Sequence, residues 1–73
     1  MQTQFFLTKQ RHNYAIVIGE TLYGEHSVMR FSGTGSGFNR VWTPLTCASA
    51  EEAERQAERL LRRKVANGYT PTP

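Results

Sequence analysis

The chain has 73 residues, nine of them basic and six acidic, for a net charge of +3. That length holds one domain rather than two, and a domain this small buries only about 60% of the surface its unfolded chain exposes, leaving little room for a closed catalytic cleft beside the core. The single cysteine, Cys47, excludes an internal disulfide and any cysteine-pair zinc site.

From the first residue, Met1 to Leu7 has neither a basic stretch nor a long apolar run, so it does not read as a signal peptide. No segment approaches the ~20 apolar residues of a membrane helix. A domain without covalent staples suits a reducing compartment, and the expectation is a cytoplasmic protein with no membrane partner. Gln4–Lys9 is a short strand around an apolar centre, followed by a polar turn at residues 10–13. Residues 14–18 are β-branched and aromatic, as strands prefer. Gly19 and Gly24 bracket a loop, and residues 26–31 form a third strand. The run Ser32-Gly33-Thr34-Gly35-Ser36-Gly37 is a glycine-rich connection, and residues 38–46 form a fourth strand whose end is demoted to an edge by Pro44. Short turns between successive strands predict antiparallel pairing, because parallel strands need longer crossovers.

The last third predicts a helix. Ser49 is the N-cap and Glu52, three residues on, completes a capping box. Glu51, Glu52 and Glu54 at the start and Arg62, Arg63 and Lys64 at the end both complement the helix dipole. Ala50, Ala53, Ala57, Leu60, Leu61 and Val65 form one apolar stripe, and Asn67-Gly68 ends the helix. The expected fold is α+β: a small antiparallel sheet of about four strands with one C-terminal helix packed across one face. The expected domain is 1–73, with a core at about 5–69 and a flexible tail at 70–73.

Little here suits catalysis. His12 and His26 are isolated surface histidines without metal-ligand spacing, Cys47 reads as a packed thiol, and four of the six glutamates already serve the helix. No enzyme activity, metal, cofactor or small-molecule substrate is expected. The glycine loop opens a strand rather than a helix and lacks the Gly-Lys-Ser/Thr of a phosphate loop. Arg40 and Trp42, two apart, share one face of their strand, Arg30 flanks the same loop, and Phe31 and Phe38 bracket it. Arginine beside an aromatic ring is the chemistry of nucleic-acid contact, guanidinium for phosphate and ring for stacking.

Several runs together resemble the WGR domain: Tyr14-Ala15-Ile16-Val17-Ile18, then Arg30-Phe31 before a glycine loop, then Ala48-Ser49-Ala50-Glu51-Glu52-Ala53 opening the helix and Lys64-Val65-Ala66-Asn67-Gly68-Tyr69 closing it. The resemblance spans about residues 5–69 and is similar to the stand-alone bacterial type. It implies an antiparallel sheet crossed by one helix and a non-enzymatic module, of the kind that contacts DNA near strand breaks in poly(ADP-ribose) polymerases. The Trp-Gly-Arg signature is degenerate: Phe31 stands at the aromatic position, Ser32 replaces the glycine, Gly33 replaces the arginine, and Gly35 matches the glycine that follows. By this resemblance Phe31 takes the stacking role, with Arg30 or Arg40 standing in for the lost arginine. The expected nucleic-acid site is therefore Arg30, Phe31, Gly33, Gly35, Arg40 and Trp42. The alternative is a protein-interaction module or homodimer, built on whichever sheet face the helix leaves open.

Overall fold

The computed structural model describes residues 3–72. They form β1 (Gln4–Lys9), β2 (His12–Glu20), β3 (His26–Thr34), β4 (Arg40–Val41), β5 (Leu45–Cys47), α1 (Ala50–Ala66) and β6 (Thr70–Thr72). All pairing is antiparallel, in one sheet of order β4-β3-β2-β1-β6, with β5 also on β3. The fold is thus a small α+β domain with six strands rather than about four.

Two differences account for the extra strands. The expected single strand at 38–46 is broken: Val41 pairs Phe31 and Leu45 pairs Val28, so four steps on the outer chain span three on β3. One extra residue is a bulge, and it falls at Trp42-Thr43-Pro44, where proline has no N–H to give to the ladder. The Trp42 N–H still reaches the Arg30 carbonyl at 3.0 Å, which holds the bulge to the sheet. The expected flexible tail is in fact β6, with Phe6 facing Thr72 and the Thr72 hydroxyl donating to the Phe6 carbonyl at 3.0 Å. Pro71 is tolerated there because β6 is an edge strand. Pro73, the rest of that tail, lies outside the described residues.

The helix meets its expected ends. Ser49 Oγ accepts the Glu52 N–H at 3.2 Å, while the Glu52 carboxylate accepts the Ala48 N–H at 3.1 Å. At the other end Gly68, at φ +100°, and Tyr69 donate back to the Val65 and Lys64 carbonyls, a Schellman motif that only glycine enters without strain. Lys9 adds a charge-assisted bond of 2.6 Å to the Asn67 carbonyl.

Ala53 and Ala57 are fully buried, so the helix backbone lies close over Leu7, Tyr14, Ile16, Val28 and Cys47. The alternation of strand side chains then sorts the sheet. Phe5, Leu7, Tyr14, Ile16, Ile18, Val28, Leu45 and Cys47 point to the helix. The apolar stripe ends on Lys64, which is half-buried, and not on Val65, which is exposed.

The register also separates charge along the strands. Glu20 pairs His26, His26 pairs Cys47, and the helix starts just beyond, so Glu20, Glu25, Glu51, Glu52 and Glu54 gather at one end. Lys9 pairs His12, His12 pairs Thr34, and the helix finishes there, so Lys9, Arg11, Arg40 and Lys64 gather at the other.

Candidate nucleic-acid interface

At the basic end the helix stops short of the sheet's outer edge and leaves part of its inner face open. A cavity of ≈ 270 Å³ lies there, lined by His12, Tyr14, Arg40, Trp42, Lys64 and Tyr69, with Ser32, Thr34 and the two asparagines Asn13 and Asn39 at its polar margin and Gly33 at its base. No carboxylate is among its lining residues.

Each aromatic ring carries a cation. The Arg40 guanidinium lies 3.9 Å from the Trp42 ring centre and that of Arg30 lies 5.3 Å away. Lys64 Nζ is 4.3 Å from the Tyr14 ring and 5.2 Å from that of Tyr69, and Lys9 Nζ is 6.0 Å from Tyr69. Tyr14 and Tyr69 meet edge to face at 6.1 Å. Such contacts are worth about 0.5–1 kcal/mol each at the surface, so they orient cations more than they stabilise the fold. The indole is fixed by its Nε1–H donating to Ser32 Oγ at 3.3 Å.

Like charges are crowded without relief. Burial, with Arg30 and Arg63 nearby, holds the Lys64 ammonium below its usual range. Burial pushes the Tyr14 phenol above its usual value, against the pull of the adjacent Arg30. Arg30 Nη2 reaches the Thr43 carbonyl at 3.4 Å, while its buried Nε has no acceptor among the described residues. An arriving anion would relieve the crowding of the Lys64 and Arg30 cations. Among the described residues no three His, Cys, Asp or Glu side chains gather to hold a metal ion. Cys47 is buried, and burial together with Glu52 pushes its thiol up, away from reactive thiolate.

Of the six residues expected at the site, the structure brings three side chains together: Arg30, Arg40 and Trp42. Phe31 does not join them. It faces Ala15 and Val41 on the opposite side of the sheet and packs edge to face on Phe38 at 6.4 Å. Gly35 is not a free phosphate cradle either: its N–H donates to the Arg11 carbonyl at 2.8 Å and its carbonyl accepts from Asn13 Nδ2 at 2.7 Å. Gly33 lies under the returning glycine loop, where a Cβ would stand 2.3 Å from the Gly37 carbonyl and 2.8 Å from Phe38 Cα. No arginine fits at position 33 while that loop is in place.

Tyr14, Lys64 and Tyr69 were missed as site residues, and His12 lines the cavity as well as the surface. One signal pointed to Lys64: it continues the spacing of Ala53, Ala57 and Leu60, so a cation sits on the apolar stripe. Comparison with protein-family models, curated proteins and solved structures gives no match, so the functional argument rests on these residues alone.

Proposed function

We propose that this protein is a non-catalytic nucleic-acid-binding module of WGR-like type, and that DNA meets it at the basic end around Trp42. The observation that carries the reading is the cavity in which Arg40 and Lys64 stand on aromatic rings, with Arg30 beside it on the Trp42 ring and no carboxylate among the lining residues. A guanidinium stacked on an indole keeps its in-plane N–H donors free for phosphate oxygens, while the tyrosine and tryptophan rings offer faces and edges to sugar and base. The resemblance assigned the stacking role to Phe31; Trp42 takes it in this proposal, because it shares a face with the arginines.

Trp42 is the chain's one tryptophan, so its intrinsic fluorescence reports directly on the site. Titration with nicked, blunt and single-stranded DNA at low salt is expected to change that emission and raise the anisotropy of labelled DNA. Arg40→Ala should weaken binding for every sequence tested and reduce the salt dependence by about one ion. No response to any of these DNAs at tens of micromolar protein would end the reading.

A further inference from the structure

We infer that the cavity beside Trp42 takes one unpaired nucleotide, with base and sugar inside and the phosphate at the Arg40 rim. This deepens the nucleic-acid reading and rests on it: the part of the polymer that enters is an unpaired position of a strand, not the side of a continuous duplex.

The strand registers lay out the floor of the cavity. Tyr14 pairs Ser32 and Ser32 pairs Arg40, so one row crosses β2, β3 and β4, and His12 paired with Thr34 forms the next row. These side chains alternate onto the helix-facing side. The helix end adds Lys64 and Tyr69 to the lining, and the outer strand adds Trp42 and Asn39. A contact that only follows phosphates needs hydrogen-bond donors alone. Here donors share the lining with acceptors: the Ser32 and Thr34 hydroxyls, the Asn39 carboxamide and the His12 imidazole can each do both. Ser32 Oγ accepts the Trp42 Nε1–H at 3.3 Å and keeps its own hydrogen to give. Phosphate oxygens have no use for the acceptors, whereas a base edge uses both kinds.

Size selects a single nucleotide. Small-ligand sites begin at about 300 Å³, and this cavity is ≈ 270 Å³. That holds one base with its sugar and excludes a base pair with two. Arg40 is exposed and lies against the Trp42 ring, so its guanidinium meets the phosphate at the mouth, while Lys64 is half-buried beside Tyr14 and Tyr69. A base inside a duplex must unstack and unpair before it can enter a concave site, whereas an unpaired one enters freely and gains the tyrosine and indole rings as stacking surfaces. The mouth is also built in advance. The Asn39 N–H donates to the Ser32 carbonyl at 3.0 Å, and Asn13 Nδ2 donates to the Gly35 and Gly37 carbonyls at 2.7 and 3.1 Å, so the glycine loop is held in place before any ligand arrives.

The test has two arms on the full chain. In the first, adenosine 5′-monophosphate and thymidine 5′-monophosphate are titrated against Trp42 emission, excited beyond nucleotide absorption. Saturable changes are expected with both, and inorganic phosphate or ribose 5-phosphate at the same concentrations should give little. In the second, a labelled single strand and a duplex with one unpaired nucleotide are compared with a duplex closed by hairpins at both ends. The closed duplex is expected to bind more weakly by about tenfold or more, the worth of one stacked base. His12→Trp, which fills the cavity from its margin, should weaken nucleotide and single-strand binding by a similar factor with an unchanged circular-dichroism spectrum; Thr34→Ile is read the same way should His12→Trp unfold. Leu22→Gln, at the fully exposed tip of the β2–β3 connection, is the control and should leave both affinities unchanged. A closed duplex that binds as tightly as the single strand would overturn the inference and leave the nucleic-acid reading standing. A response to inorganic phosphate equal to that of the nucleotides, or nucleotide binding that survives both filling variants, would also overturn it. Saturable nucleotide binding, lost in the filling variants, without affinity for any DNA would support the cavity's ligand and end the DNA reading instead.

Discussion

Gly33 shows how one missing side chain shapes the site. Its neighbours, Ser32 and Thr34, are ordinary strand residues, but the loop at 35–39 folds back directly over position 33. Gly33→Ala therefore drives a methyl into backbone that cannot rotate away, and the expected loss is about 1–3 kcal/mol by urea unfolding. The same change should loosen Asn39 at the cavity margin, visible as an altered Trp42 emission before any ligand is added. Tyr14 and Lys64 lend themselves to a pH test. The folded phenol keeps its proton above its ordinary value, so from there upward the folded state binds more protons than the unfolded chain, and stability falls as pH rises through the folded value. Lys64 acts with the opposite sign, since below its usual 10.5 the unfolded chain holds the proton longer and stability rises with pH. Tyr14→Phe removes the first effect and leaves the second. Its loss of stability from about pH 10 upward should be smaller than that of the parent, as read by thermal unfolding at matched ionic strength.

At the scale of elements, what the sequence disclosed was what short-range rules control. The helix, its cap at Ser49, its stop at Gly68 and its alanine contact face all depend on residues within one or two turns. Ser49→Ala is expected to cost about 1 kcal/mol, measured as a shift in urea midpoint with unchanged slope. Glu58 and Arg62, four apart on the helix, close to 2.6 Å, whereas among the described residues Glu51 and Arg55 at the same spacing are not within ion-pair distance. Both ends of the closed pair are well exposed, and its contribution is correspondingly small. The sheet was less legible. β2 and β3 extend each other across their whole nine-residue length, taking in His12, Gly19 and Gly33 that local preference assigns to turns. β6 exists because β1 offers it a free edge more than sixty positions away, and Thr-Pro-Thr carries no strand signal of its own. The site is a mixture of the two. Arg40 and Trp42 follow from period-two alternation, and Arg30 joins them by pairing, but Tyr14 and Lys64 meet only when the helix docks. Phe31 was misplaced because its sequence neighbour Arg30 points the other way through the sheet.

At the scale of the molecule, the outer sheet face is uncharged, one end is acidic and the other basic, and the exposed helix surface between the ends carries both signs at Arg55, Glu58, Arg59 and Arg62. The distance between the two ends is about 30 Å, the length of a nine-residue strand, and salt at 0.1 M screens charge over about 10 Å. A ligand at Trp42 therefore feels Lys9 and Arg40 strongly and the far glutamates hardly at all. Replacing Glu20 and Glu25 with Gln raises the formal charge from +3 to +5. That pair is nonetheless expected to speed association with DNA less than Lys9→Gln slows it, in stopped-flow traces at 0.1 M salt. If overall charge alone set the rate, the order would be reversed. No helix among the described residues is long and apolar enough to cross a membrane.

With five of the six glutamates at one end and Lys9, Arg11, Arg40 and Lys64 at the other, the single chain is an electric dipole aligned with its strands. In the field of a polyanion such a body rotates before it collides, turning the Lys9–Arg40 end forward. An encounter that starts broadside is thereby converted into an end-on approach, and fewer contacts are wasted in the wrong orientation.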